Sequence, residues 1–183
     1  MAAFLVMLLA MPVAAQERPA VRPVHDVSVT YRLRGVDPNG RPESRQVHMS
    51  WTDQGRRMRL EMQGQSDFTL VDYETNRITM VMLQRELYLA LPFDPRHPPG
   101  LDIPAGVGMT EAGTDVVANT RCVVWNLTGP LTGTACITQD GLPLRLRTTA
   151  SGEAAMEAVS VAYGPQPQNL FTVPAGLHRI DPH

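Results

Sequence analysis

Lysine is missing altogether: all 16 basic residues of the 183-residue chain are arginine. That bias marks a GC-rich coding sequence, so no arginine carries special weight by its type alone. Basic charge does not exceed acidic charge, the net charge being -2, and only 5% of residues are aromatic. A chain with neither a basic excess nor stacking rings has no footprint for nucleic acid.

Chemistry-bearing motifs are absent too. There is no nucleophile elbow, phosphate loop or zincin helix. Asp94, His97 and Asp102 come nearest to a metal-ligand group, but they fall in a proline-rich stretch and read as solvated charges. No catalytic residue, metal ligand or cofactor is therefore assigned. Helical periodicity is also wanting: residues 152–160, "GEAAMEAVS", are the one competitor, and their β-branched end favours strand.

Only two cysteines occur, Cys122 and Cys136, too few for a zinc site without a spaced histidine pair. The N-terminus explains them. Residues 1–15 hold an apolar run, Ala2 to Pro12, that leads into Val13-Ala14-Ala15 and then polar Gln16-Glu17-Arg18. This is the pattern of a cleaved secretory signal, too short to span a membrane. Export to a periplasmic or secreted location favours a Cys122–Cys136 disulfide.

What remains is alternation. After a polar, proline-rich extended leader at 16–24, Val27, Val29, Tyr31 and Leu33 alternate with polar residues, the period of a half-buried strand. Val47, Met49 and Trp51 form the next apolar set. A two-residue turn at Gln54-Gly55 places Trp51 opposite Met58, Met49 opposite Leu60 and Val47 opposite Met62. Continuing the same logic pairs Met62 with Phe68, Leu60 with Leu70, Leu70 with Met80, Phe68 with Met82, and Met82 with Leu87. Asp72 then shares the face of Phe68 and Leu70 and belongs at its rim. Six strands share one apolar face, an antiparallel meander.

Residues 77–91 are apolar on both faces. Their second face needs a cover, and residues 92–113, rich in proline and glycine, are the expected one. Strands resume beyond it, with Cys122 and Cys136 symmetric about Gly129. The expected fold is mainly β: an unclosed half-barrel of ten to eleven antiparallel strands over one domain, 25–177, with a tail at 178–183.

The order of "DVSVTYRLRG", "RRMRLEM", "LVDYETNRITMVM", "RELYLALP" and "NLFTVPAGL" resembles periplasmic domains of the lipoprotein-localisation-factor (LolA/LolB-like) half-barrel superfamily. Cys122, Trp125, Cys136, Thr138, Asp140 and Gly141 carry its most specific part. The resemblance implies a face that holds acyl chains. Thioethers adapt to irregular apolar shapes, and Met49, Met58, Met62, Met80 and Met82 crowd the apolar face. The expected lining is thus Val29, Tyr31, Met49, Trp51, Met58, Leu60, Met62, Phe68, Leu70, Met80 and Met82, with 92–112 as lid or mouth. The expected function is non-catalytic binding of a lipid or lipoprotein acyl chain, as carrier or sensor. An envelope protein docking on the two-faced strands 77–91 is the alternative.

Overall fold

The computed structural model describes residues 18–19, 21–97, 99–100, 103–104, 106–149 and 154–181. The signal segment, Asp102 and His183 lie outside them. Alternating apolar residues separated by tight turns produce strands throughout. The first meander comprises β1 (Val27–Val36), β2 (Pro42–Thr52), β3 (Arg57–Met62), β4 (Phe68–Asp72), β5 (Arg77–Met82) and β6 (Leu87–Pro92). The second comprises β7 (Gly108–Val117), β8 (Thr120–Thr128), β9 (Gly133–Ile137), β10 (Pro143–Thr148) and β11 (Ala154–Tyr163). A last strand, β12 (His178–Ile180), pairs in parallel with β6.

The sheet order is β12-β6-β5-β4-β3-β2-β1-β11-β10-β9-β8-β7, twelve strands not closed into a barrel. Pairing of β1 with β11 joins the meanders, so β6 and β7, neighbours in sequence, sit near opposite ends of the sheet. Residues 93–107 must bridge that separation. The described part of this segment is tied down at two places: the Tyr73 hydroxyl donates to the Pro99 carbonyl at 2.8 Å, and Ile103 and Val107 are buried with Trp125 and Leu127. The irregular stretch is shorter than the sequence suggests, because 108–113 join β7.

The main core unites the two meanders. Val27, Val29, Tyr31, Met49, Trp51, Met58 and Val71 cluster with Leu142, Leu144, Met156, Ala158 and the two cysteines. Cys122 and Cys136 are disulfide-bonded, their Cα atoms 5.4 Å apart. They are not directly opposed, however: Cys136 faces Val124, so the bond runs diagonally across the hairpin. The disulfide shares this core with Met49 and Met58.

The Gln54-Gly55 turn forms as expected. Both residues take positive φ (58° and 74°), and Trp51–Met58, Met49–Leu60 and Val47–Met62 are register partners. The next two turns depart from expectation. Phe68 faces Glu61 rather than Met62, and Leu70 faces Arg59 rather than Leu60. Gly64, at φ 82°, and a bond from the Gln65 amide to the Met62 carbonyl centre this turn earlier than the sequence suggests. After β4 the register slips again: Leu70 faces Thr79, not Met80, and Phe68 faces Val81, not Met82. There the Asp72 carboxylate accepts the Glu74 and Thr75 amides while Asn76 adopts φ 51°, fixing a tighter turn.

A one-residue slip turns a whole strand over, because side chains alternate with period two. Two slips in succession invert β4 alone. Val71 and Thr69 therefore occupy the methionine face, and β5 returns Met80 and Met82 to it, with Met80 opposite Leu89 and Met82 opposite Leu87.

The second face of β3–β6 is covered by the C-terminal segment, not by residues 92–113. Phe68, Leu70 and Val81 cluster there with Leu83, Tyr88, Val173 and Leu177. Tyr88 and Leu83 thus find cover late in the chain. His178, rather than fraying, begins β12.

Candidate functional site

The expected lining divides into three groups. Val29, Tyr31, Met49, Trp51 and Met58 are at most 2% exposed. The Tyr31 hydroxyl donates to the Pro143 carbonyl at 2.8 Å, and its ring meets Trp51 edge-on. Burial, then the nearby Tyr163, pushes the Tyr31 phenol well above its ordinary range, so it stays a donor. These five are filled core rather than the wall of an open cavity.

Phe68 and Leu70 form the second group. They are buried on the opposite face, because β4 is inverted. Arginines from β3 hold the C-terminal segment over them. The Arg59 guanidinium lies 3.5 Å from the Phe68 ring centre, donates to the Leu170 carbonyl at 2.9 Å and pairs with Glu61. Arg57 donates to the Gln168 side chain at 2.8 Å and lies 5.9 Å from the Phe171 ring. Arg57 and Arg59 are clamps for the C-terminal segment.

Arg59 is only 12% exposed. Its replacement by alanine removes a stacked cation and a charge-assisted hydrogen bond, about 2 kcal/mol together. Arg59→Ala is expected to raise hydrogen exchange across 168–180 while β1 and β2 keep native protection. Unchanged exchange there would show that the apolar contacts alone hold the segment.

Leu60, Met62, Met80 and Met82 are the third group. They share one face, with Thr69 between, and line a hollow of 230 Å³ whose rim includes Gln65 and Asp67. Met80 is 46% exposed, and Leu60, Met62 and Met82 are half-buried. Leu87 and Leu89 extend the strip to β6, and Ile180 of β12 continues it. The strip itself is soft and apolar, and Gln65, Asp67 and Thr69 set polar groups beside it. Its chemistry is contact with another apolar surface. Leu87, Leu89 and Thr69 could have been read from the β6 alternation and the β4 inversion, had the turns been placed correctly.

A separate hollow of 520 Å³ lies where β1 begins, lined by His25, Asp26, Tyr163, Gly164 and Pro165. Its polar groups are already engaged. Asp26 accepts from the Thr52 hydroxyl and the Asp53 amide, and Tyr163 donates to Asp140 at 2.9 Å. Burial, foremost, pushes the Tyr163 phenol up to about 12. His25 sits 3.4 Å from Asp140, whose carbonyl accepts the Val24 amide. This arrangement fastens the leader. Further up it, Arg22 stacks 4.2 Å from the Tyr73 ring and Arg18 donates to the Ile103 and Pro104 carbonyls. Of the metal-like residues, Asp94 pairs with Arg96 on the surface. Among the described residues, no helix is long and apolar enough to cross a membrane.

No family model matches the sequence, and no curated protein matches it either. Solved structures do. An uncharacterized conserved protein from Thermus thermophilus aligns with TM-score 0.58 and 12% identity over 87% of this chain and 91% of that one. The Pseudomonas aeruginosa MucA/MucB complex aligns with TM-score 0.55 and 14% identity over 85% of this chain and 58% of that one. This chain therefore spans rather more than half of that one's length. A LolA superfamily protein, NE2245 from Nitrosomonas europaea, is a looser likeness at TM-score 0.42 and 10% identity. The class defined is an unclosed β half-barrel, a fold this chain shares with the Thermus thermophilus protein and the MucA/MucB structure.

Proposed function

We propose that this is an exported, non-catalytic binding protein that receives the end of an acyl chain, free or on a lipoprotein, along the methionine strip. The observation that carries the reading is the open hollow formed by Leu60, Met62, Met80 and Met82 beside a core of buried side chains. The four apolar side chains recognise apolarity, and Gln65, Asp67 and Thr69 stand where a polar head group would meet the rim. The affinity of the site comes from burial, about 25 cal/mol per Å², and its selectivity among chains is low. The disulfide fits an oxidising compartment.

The docking of a protein partner on strands 77–91 is the second reading. The continuation of the strip to Leu87 and Leu89, near the sheet edge, favours it. So does the crystallisation of MucB, of similar fold, with MucA. The test is Met80→Glu against Met80→Leu. Both variants should fold, since Met80 is half exposed. The charged one should bind dodecanoate at least tenfold more weakly, while the leucine variant should bind as well as the parent. Equal binding by all three removes the strip from the account. If none of them binds a fatty acid, the parent included, the partner reading takes its place.

A further inference from the structure

A second hollow, of 160 Å³, lies on the opposite face of the sheet, beneath the C-terminal segment. Leu70 forms one apolar side and Phe171 and Val173 the other, while Met58 and Val71, whose side chains belong to the main core, also border it. Arg57, Asp72, Arg77 and Thr79 supply its polar groups. The register explains the arrangement. Arg57, Asp72 and Arg77 are direct partners across β3, β4 and β5, so they form one rung, and Leu70 and Thr79 are partners two residues further along. The segment covers this groove without filling it.

The charges on that rung are unequally committed. One oxygen of Asp72 accepts the two turn amides, Glu74 and Thr75. Arg57 is turned towards Gln168 and lies 3.9 Å from Asp53. Arg77 is exposed, and no hydrogen bond or ion pair engages its guanidinium among the described residues. The rung therefore carries a net positive charge beside an apolar recess, with an uncommitted fork suited to a carboxylate. At about 30 Å³ for a water-sized group, the recess holds about five carbons, and the rest of a medium chain lies along its open mouth.

We propose that this hollow is a binding site for a short or medium-chain carboxylate. Its alkyl end enters between Leu70 and Val173, and its head is held by Arg77 with Arg57 beside it. The site faces away from the methionine strip and differs from it in kind: the strip reads apolarity, whereas this hollow reads an anionic head on a short chain. The inference stands independently of acyl binding on the strip.

The probe is octanoate, with octanol as its uncharged counterpart, followed by amide chemical shifts of the full chain. Octanoate should shift Leu70, Phe171 and Val173. Arg77→Gln, at an exposed position, should weaken octanoate about tenfold and leave octanol unchanged, and Arg77→Lys should recover part of the loss. Thr79→Leu should fill the recess and abolish both. Shifts confined to Leu60, Met62, Met80 and Met82 would overturn this site while leaving the strip intact. Equal octanoate affinity in Arg77→Gln would overturn the assigned head-group contact, and with it the proposal. Absence of any octanoate-induced shift would do the same.

Discussion

Met58→Glu is expected to yield no folded protein at all. Met58 is 2% exposed, wedged in the main core beside Trp51 and Val71, with the Tyr73 hydroxyl 3.7 Å from its sulfur. The cluster around it is made of apolar side chains. An unpaired buried charge costs several kcal/mol, comparable with the whole stability of a typical domain, about 5–15 kcal/mol. Circular dichroism and soluble yield from the periplasm decide the matter. The same substitution at Met80 should leave the fold intact and remove ligand binding. Read from the sequence, the two methionines are equivalent; in the structure one is core and the other surface. A folded Met58→Glu that merely fails to bind would restore an open inner cavity.

Reduction of the Cys122–Cys136 bond carries the second large effect. The cysteines are separated by 14 residues and both are buried in the main core. Closing a loop of that size in the unfolded chain is worth about 3 kcal/mol in the chain-entropy model. For a chain of this length that corresponds to a melting temperature lower by about 6–12 °C. Because β8 and β9 lie across the sheet from β3–β6, ligand binding on the strip should persist below the new midpoint. Calorimetry of the Cys122→Ala/Cys136→Ala double variant, compared with the reduced parent, gives both numbers. A shift under about 2 °C would mean that the core holds the hairpin closed without the bond.

Where alternation and turn chemistry agreed, the sequence was legible down to the residue pair. The Gln54-Gly55 turn is the clearest case: only an even loop keeps Trp51 and Met58 on one face, and the structure pairs them. The Met80–Leu89 and Met82–Leu87 pairs follow in the same way. β4 was misread because "FTLVD" is apolar on both faces: Phe68 and Leu70 point one way and Val71 the other. Hydrophobic pattern cannot choose a register for such a strand. The choice fell to Gly64 and to the Asp72 cap, whose geometry a residue list does not show.

Long-range cover was illegible for a different reason. Nothing local in 164–180 announces that it returns to β3 and β6 about a hundred residues earlier. What brings it back is the buried area of Phe171 and Leu177 and the forks of Arg57 and Arg59. The candidate site was visible as a face, but the division of that face was not. Val29, Tyr31, Met49, Trp51 and Met58 are sealed by the second meander, Phe68 and Leu70 turn to the other face, and Leu60, Met62, Met80 and Met82 are left open.

The account turns on that division, and seven of the ten methionines, at positions 49, 58, 62, 80, 82, 109 and 156, report on it directly. The decisive measurement is a titration of methyl-¹³C-methionine-labelled protein with dodecanoate, followed by methyl chemical shifts. The strip account predicts saturable shifts at Met62, Met80 and Met82, with Met49, Met58 and Met156 unmoved. Shifts at Met49 and Met58 would contradict it, because they would mean that the chain enters an interior that the core side chains fill.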